Sequence, residues 1–143
     1  MDLLTSSVAF RPQATESTRF VEKYSFEQRS TQSSKIRAKY VDHVPVILEP
    51  APEKRRSDNK FQKHIADGNL KTKYLVPGMQ SVAKFTATVR NQIRLSKEEA
   101  LYLLTLDNTI PAATMTMSQL DRKHRSDDGF LYLVFAGENT FGK

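Results

Sequence analysis

Histidines, glycines and paired acids are the residues whose types could support catalysis, and their spacing predicts no active site. The three histidines, His43, His64 and His124, have neither metal-ligand nor catalytic-triad spacing. The five glycines are scattered, so the sequence contains no glycine-rich phosphate-binding loop. Adjacent acids occur at residues 98–99 and 127–128, where capping and turn roles account for them. We therefore expect a protein that is not an enzyme and that binds no cofactor and no metal.

The C-terminus carries the residue with the clearest chemical use. Gly142 stands one residue before the end, in the segment GENTFGK of residues 137–143. Because glycine lacks a Cβ atom, a tail that contains it can pass through an enzyme cleft too narrow for other residues. If Lys143 were removed, the Gly142 carboxylate could be activated and transferred to an amine. The alternative interpretation is an ordinary frayed terminus.

The composition fits one domain with an appendage and favours anionic partners. The chain has 143 residues, of which 38% are hydrophobic, and this is enough for a modest single core. Lys and Arg total 22 against 16 acids, so the formal net charge is +6. This surplus attracts phospholipid head groups, acidic peptides or nucleic acid, and charge alone does not choose among them.

The absence of cysteine limits the covalent chemistry that the chain itself can provide. It excludes disulfides, thiolate metal sites, a cysteine nucleophile, prenylation and palmitoylation. Asp2 occupies the position that must be glycine for N-myristoylation, and we expect no secretory signal in the residues around it. No segment is apolar over enough residues to span a bilayer. Any membrane attachment would therefore be added at a group other than a cysteine.

The N-terminal half predicts two helices, two strands and a surface loop. Residues 1–18 are weakly patterned and are expected to form a flexible extension, followed by a short helix over residues 19–24. Ser25 and Gln28 then form a capping box for a helix that extends to about Lys39. Its predicted inward residues are Phe26 and Ile36. The other predicted elements are strands over residues 44–48 and 73–76 and a polar loop over residues 53–70.

The C-terminal half predicts a long helix, a short helix and two strands. Apolar residues recur at steps of three and four after Ser81 and define one buried helix face: Val82, Phe85, Val89 and Ile93. A second capping box at residues 96–99 precedes a strand over residues 101–106. Thr116 and Gln119 predict the start of a helix that ends near His124, and residues 130–135 form an apolar strand expected at the centre of a sheet. Mixed strands with one long helix suit a β-grasp sheet, although element order does not fix the topology.

Six segments, taken together, match one known family. They are residues 25–29 (SFEQR), 35–37 (KIR), 44–47 (VPVI), 73–77 (KYLVP), 128–132 (DGFLY) and 137–142 (GENTFG). The sequence resembles the ubiquitin-like autophagy modifiers, which include the GABA-receptor-associated protein and the microtubule-associated light chains. The resemblance implies an α+β fold: a ubiquitin-like β-grasp domain with a mixed four-stranded sheet and additional N-terminal helices.

The same resemblance implies domain limits and a covalent modification. The ubiquitin-like domain and its helices would span residues 19–136, with residues 53–70 as an inserted surface loop and residues 137–143 as a processed tail. A cysteine protease would recognise Phe141 and remove Lys143, and activating and conjugating enzymes would then carry Gly142 as a thioester. Transfer to phosphatidylethanolamine would attach a cytoplasmic protein to autophagosomal membranes.

A second implied activity is the capture of cargo receptors through short aromatic–x–x–aliphatic motifs beside an edge strand. The aromatic pocket would be lined by Ile36, Pro45, Ile47, Lys73, Leu75 and Phe130. The aliphatic pocket would be lined by Tyr74, Val76, Pro77 and Phe85. Acids that flank the motif would meet Lys71, Lys73 and Arg90. Each of these residues could instead serve only the core or the solvated surface.

The sequence departs from the family at three positions around these pockets. Gln80 and Thr88 stand where relatives usually carry aliphatic residues of the second pocket, and Gln32 stands where they often carry an acid. We therefore expect weaker or altered motif binding, by about 1–2 kcal/mol for a Leu or Ile side chain.

Two other functions remain open on the sequence. The chain could be an unconjugated β-grasp adaptor that binds peptide motifs and whose tail is never processed. It could also use its basic surplus to bind nucleic acid. The second hypothesis ranks last, because the sequence has no motif of stacking aromatic residues and its acids interleave with its bases. We therefore expect no nucleic-acid partner.

Overall fold

The computed structural model describes residues 19–51, 71–93, 95 and 98–137, which contain four helices and four strands. In chain order they are α1 (Phe20–Lys23), α2 (Phe26–Lys39), β1 (His43–Pro50), β2 (Lys73–Pro77), α3 (Val82–Ile93), β3 (Tyr102–Thr105), α4 (Met117–His124) and β4 (Leu131–Ala136). Four predicted features lie wholly or partly outside the described residues. They are the extension 1–18, the loop 53–70, the first half of the capping box at 96–99, and tail residues 138–143.

The predicted capping box at Ser25 is confirmed, and the helix predicted to start at Thr116 begins with a capping box as well. Ser25 Oγ accepts a hydrogen bond from Gln28 N at 3.1 Å, and Gln28 Oε1 accepts one from Ser25 N at 2.8 Å. The same reciprocal pair joins Thr116 and Gln119, at 3.1 and 2.9 Å. These bonds satisfy backbone N–H groups that a helix start leaves unpaired. Local sequence therefore fixes where α2 and α4 begin.

The four strands form one mixed sheet in the order β2-β1-β4-β3. β1 pairs in parallel with β4, whereas β2 and β3 pair antiparallel with β1 and β4 respectively. The predicted central position of the last strand is confirmed, since β4 has a neighbour on each side and every one of its residues is buried. A parallel central pair with antiparallel outer strands and a long helix on one face is the predicted β-grasp arrangement.

The main core lies between the sheet and the helices α3 and α4. The predicted face of α3 is confirmed, because Val82, Phe85, Val89 and Ile93 are all buried there. From α4, the fully buried Met117 and Leu120 complete this layer. The strands contribute alternate residues, which are Val44, Val46, Leu48, Tyr74, Val76, Leu103, Leu131, Leu133 and Phe135.

Helices α1 and α2 cover part of the opposite face of the sheet. There Phe20, Ile47, Phe130 and Tyr132 are buried together, and the half-buried Ile36 packs against them as predicted. The prediction that Phe26 points inward is wrong: its side chain is 53% exposed. Phe26 is the first residue of α2, where the Arg29 guanidinium, 5.7 Å from the ring centroid, covers it in place of the sheet.

Helix α2 is held to the domain mainly by polar contacts. Ser33 donates a hydrogen bond to the carbonyl of Asp128, and Arg37 Nε donates one of 2.9 Å to the carbonyl of Gly129. The two terminal nitrogens of Arg37 bond both carboxylate oxygens of buried Asp121, at 3.0 and 2.9 Å. Gly129 has φ of +93°, a conformation that glycine adopts without strain. This turn therefore places carbonyls where α2 can bind them.

Candidate functional site

Strand β2 lies at one edge of the sheet, and within the described part of the chain its backbone pairs only with β1. Its side chains alternate, with Tyr74 and Val76 buried and with Lys73, Leu75 and Pro77 exposed. An edge of this kind offers unpaired backbone N–H and C=O groups to an additional strand. The structure therefore contains the edge strand that the sequence predicts, one residue longer than expected.

Three of the residues predicted to line the aromatic pocket pack together in one cluster. Ile47 and Phe130 are fully buried, and Ile36 of α2 packs against their cluster. Phe20 of α1 joins them, with its ring centroid 5.3 Å from that of Phe130 in an edge-to-face arrangement. No pattern in the sequence marks Phe20 as a member of this cluster, because one aromatic residue in a four-residue helix shows no periodicity.

Lys73 and Leu75 lie on β2 beside this cluster, opposite Ile47 and Pro45 of β1. Leu75 lies opposite Pro45 in the β1–β2 register, and Lys73 lies one step of the pleat away on the same face. The Lys73 ammonium is 5.8 Å from the centroid of the Phe20 ring and donates a 2.9 Å hydrogen bond to Oε1 of Gln32. Lys73 thus reaches from β2 to both N-terminal helices, and the structure brings all six predicted pocket residues together.

The charge at this end of β2 is positive. Gln32 satisfies one donor of the Lys73 ammonium without neutralising it, since an amide oxygen carries no formal charge. Lys71 is also exposed, and its ammonium lies 5.2 Å from the centroid of the Tyr74 ring. Both lysines lie at the start of β2, and their predicted contact with acids of a bound motif stays a prediction.

The residues predicted for the aliphatic pocket lie along the seam between β2 and α3. The rings of Tyr74 and Phe85 meet edge to face with centroids 5.3 Å apart, and Val76 is buried in the same core. The Tyr74 hydroxyl donates a 2.5 Å hydrogen bond to Oε1 of Gln92 on α3. Burial raises the pKa of Tyr74 to about 12. Of the four predicted residues, three are buried at this seam and Pro77 is exposed at the end of the strand.

Polar side chains stand at two positions predicted to be aliphatic in other family members. Gln80 and Thr88 are both half-buried, and the Thr88 hydroxyl donates a 3.2 Å hydrogen bond to the Lys84 carbonyl of its own helix. Neither side chain supplies the apolar contact that an aliphatic residue would. The sequence-based expectation of a poorer aliphatic pocket therefore remains a prediction with a structural basis.

Arg90 is not brought to the β2 edge. Residues of an α-helix are separated by about 100° of rotation, so Arg90 and Gln92 lie on different flanks of α3. Gln92 bonds Tyr74 on the β2 side, whereas Arg90 lines a separate cavity of about 320 Å³ with Ala87 and Leu103. Arg90 Nη1 also donates a 2.7 Å hydrogen bond to the Glu99 carbonyl. Its predicted contact with acids of a bound motif has no support from this position.

The two histidines in the described part of the chain, His43 and His124, lie in different elements. The ring of His43 lies 6.0 Å from that of Tyr40, His124 is the last residue of α4, and His64 lies outside the described residues. Among the residues whose positions are described, no group of histidines and acids could hold a metal ion.

Asp128 is the one acid of the predicted pairs that is deeply buried, and its contacts are structural. Its carboxylate accepts hydrogen bonds from Arg29 Nε at 2.8 Å, from the Phe130 N–H at 3.0 Å and from the Tyr132 hydroxyl. The hydrogen bond to Asp128 raises the pKa of Arg29, and burial raises the pKa of Tyr132. A carboxylate with this many donors fixes the loop before β4 against α2.

The C-terminal tail continues from the centre of the sheet. β4 ends at Ala136, opposite the first residue of β3, and buried Gly137 is the last described residue. The tail residues Phe141, Gly142 and Lys143 lie outside the described residues. In the described portion, none of the helices has the length and apolar character needed to cross a membrane.

Comparison with known proteins gives a consistent family assignment. The family model described as autophagy protein Atg8, ubiquitin-like, matches residues 28–142. Autophagy-related protein 8 of Schizosaccharomyces pombe is 39% identical over 125 residues, which cover 87% of this chain and 94% of that protein. The Emericella nidulans protein of the same name is 37% identical, covering 87% of this chain and 97% of the relative. The crystal structure of Trypanosoma brucei ATG8 superimposes with a TM-score of 0.70 at 27% identity, covering 88% of this chain and 99% of that one.

Proposed function

Because the chain belongs to the Atg8 family of ubiquitin-like proteins and acts in autophagy as a member of it, we propose that it is conjugated through Gly142 to phosphatidylethanolamine. The observation that carries the proposal is the family match, which extends through the tail to Gly142. On this proposal the chain is a modifier carried by other enzymes and is not itself an enzyme. It starts in the cytoplasm and becomes attached to autophagosomal membranes.

The proposed chemistry takes place at one carbonyl carbon. A cysteine protease hydrolyses the bond between Gly142 and Lys143 and frees the Gly142 carboxylate. An activating enzyme then uses ATP to convert the carboxylate to an acyl adenylate with release of pyrophosphate, and its cysteine thiolate displaces AMP to form a thioester. The conjugating enzyme takes over the acyl group on its own cysteine by thioester exchange, and this chain itself has no cysteine. The amine of the lipid attacks the carbonyl carbon, the C–S bond breaks, an amide forms and the thiol is released. The two acyl chains of the lipid give a stable membrane anchor where one chain would be marginal.

The proposed division of the chain follows from this role. Residues 19–136 form the ubiquitin-like domain with its N-terminal helices, residues 1–18 precede it as an extension, and residues 53–70 are an insertion. Residues 137–143 are the processed tail, which must reach into enzyme clefts that exclude the folded domain.

Intact-mass measurement of the protein from starved cells tests the conjugation. We expect loss of Lys143 and gain of one phosphatidylethanolamine, both abolished by Gly142→Ala. A chain that ends at Gly142 is the matched control, because it needs no protease and should still gain the lipid. Finding only the unmodified full-length chain during starvation would refute the proposal and favour an unconjugated adaptor.

We also propose that the β2 edge captures peptide motifs of cargo receptors. The support is geometric: six residues converge on the aromatic pocket, and the strand beside them offers an unpaired backbone edge. Lys71 and Lys73 provide positive charge at the same end, which suits acids beside the motif.

The positions of the two pockets set the direction of the bound peptide. The aromatic pocket lies level with Lys73 and Leu75, and the aliphatic pocket lies level with Val76 and Pro77. A motif that runs from its aromatic to its aliphatic residue therefore runs parallel to β2. Residues that follow the motif continue beyond Pro77.

Calorimetric titration with an acidic aromatic–x–x–Leu peptide tests the capture. We expect the double variant Gln80→Leu/Thr88→Leu to bind about tenfold more tightly than the natural chain, because it restores apolar lining worth about 1–2 kcal/mol. A matched control is Thr86→Leu, on the flank of α3 that faces the separate cavity and not β2. Equal affinity of the natural chain and the double variant would contradict the assignment of the aliphatic pocket.

A further inference from the structure

An exposed apolar surface continues from the end of β2. Eight large hydrophobic side chains are exposed among the described residues, and four of them lie in or next to this strand end. Leu75 and Tyr40 are about two-fifths exposed, whereas Val41 is 78% and Met79 is 85% exposed. Val41 and Met79 sit in turns, where polar residues and glycine are usual. The concentration of apolar side chains here therefore indicates a surface with a partner.

Hydrogen bonds hold these two turns against each other. The Gly78 N–H donates a 2.8 Å bond to the Asp42 carbonyl, which joins the turn after β2 to the turn before β1. The strand register continues the contact, with His43 opposite Pro77. A Cβ atom at Gly78 would lie 2.2 Å from Ser118 Oγ, so this turn approaches α4 closely. Val41 and Met79 are thus presented together by a fixed backbone; we call this pair the apolar tip.

The apolar tip lies directly ahead of a peptide bound to β2. A parallel peptide passes Pro77 after its aliphatic residue and then reaches the turn that carries Met79. Each residue of an extended peptide advances the chain by about 3.3 Å. The tip therefore lies level with a peptide residue about two to four positions after the aliphatic residue. It is thus just beyond the end of the proposed binding edge.

We propose that Val41 and Met79 form an accessory subsite for an apolar side chain that follows the aromatic–x–x–aliphatic motif of a captured peptide. This inference rests on the proposed peptide capture at β2. The aliphatic pocket loses apolar contact at Gln80 and Thr88. The subsite would supply a comparable contact further along the same peptide. The preferred partner is then a receptor segment with an acidic residue before the motif and a Leu, Ile or Phe after it.

Fluorescence anisotropy with three labelled peptides tests the subsite. The first holds only the acidic motif, and the second and third extend it by five residues that contain either Leu or Ser at the third position after the aliphatic residue. We expect the Leu extension to tighten binding about tenfold over the Ser extension, since burying a large apolar side chain gives a change of that size. Met79→Ser and Val41→Ser should each remove most of this gain and leave binding of the first peptide unchanged.

The control variant is Leu106→Ser, which removes a side chain that is 65% exposed but follows β3 at the other edge of the sheet. It should keep the full gain. Equal binding of the Leu and Ser extensions, with the short peptide still bound, would overturn the subsite and leave the capture proposal standing. Failure of all three peptides to bind would overturn both. Binding of the unconjugated protein to anionic phospholipid vesicles that is lost in Met79→Ser, without any effect of the Leu extension, would replace the peptide with a membrane surface.

Discussion

Replacing Tyr74 with Phe should change the stability of the domain in a way that depends on pH. The Tyr74 hydroxyl bonds Gln92, and this bond joins the β2 edge to α3. Removing it costs about 1 kcal/mol at neutral pH, the usual net value of one such bond. The ring and its edge-to-face contact with Phe85 are retained, because Phe differs from Tyr only by the hydroxyl.

The pH dependence follows from the raised pKa of Tyr74. Burial shifts this pKa from 10.0 to about 12, so the folded state holds the phenol proton more tightly than the unfolded state does. The stability linked to that proton is complete below pH 10 and is lost as the pH rises towards 12. At pH 11 the free energy of unfolding of the natural chain is lower by about 1.4 kcal/mol than below pH 10. The reason is that each pH unit between the two pKa values changes this free energy by about that amount. Phe has no such proton to lose.

Urea unfolding of the natural chain and of Tyr74→Phe between pH 8 and pH 11 measures both quantities. We expect the variant to be about 1 kcal/mol less stable at pH 8 and nearly equal in stability to the natural chain at pH 11. Ionisation of other groups affects both proteins alike and cancels in the difference. A stability difference that stays constant over this range would refute the link between burial of Tyr74 and its protonation.

Two further predictions concern the turn before β4 and the charge on β2. Gly129→Ala should destabilise the domain by about 2 kcal/mol, because it forces Ala into a positive φ and places its Cβ 2.2 Å from Ser33 Oγ. Adding Ser33→Ala should recover part of this loss in urea unfolding, and a loss below about 0.5 kcal/mol for the single variant would count against the contact. Lys73→Gln should weaken an acidic motif peptide several-fold and lower the salt dependence of its binding, while a neutral motif peptide is little affected. Unchanged salt dependence in anisotropy titrations would show that Lys73 does not face the peptide.

Local patterns in the sequence predicted most helices and strands correctly. The capping boxes at Ser25 and Thr116 and the apolar spacing of α3 act within one or two turns, so they are readable without knowledge of the rest of the chain. The prediction for Phe26 failed because helical spacing gives the direction of a side chain but not whether a neighbour reaches it.

The candidate site was predicted only in part, for a related reason. The family resemblance supplied the residues on β1 and β2, and the structure brings those of the aromatic pocket together. The resemblance also supplied Arg90, and its predicted contact with acids of a bound motif stays a prediction, because Arg90 and Gln92 lie on different flanks of α3. Phe20 was missed because its contact with Phe130 joins residues far apart in the chain.

The sequence by itself determined that the chain has no cysteine chemistry of its own, that a glycine stands at position 142, and which family its motifs resemble. These are properties of residue type and order, which folding does not change. Only the tertiary structure decided that Lys73 reaches two helices, that Tyr74 is tied to Gln92, and that Val41 and Met79 share one exposed end of the sheet. Each of these depends on strand order and register, and contacts between distant parts of the chain set both.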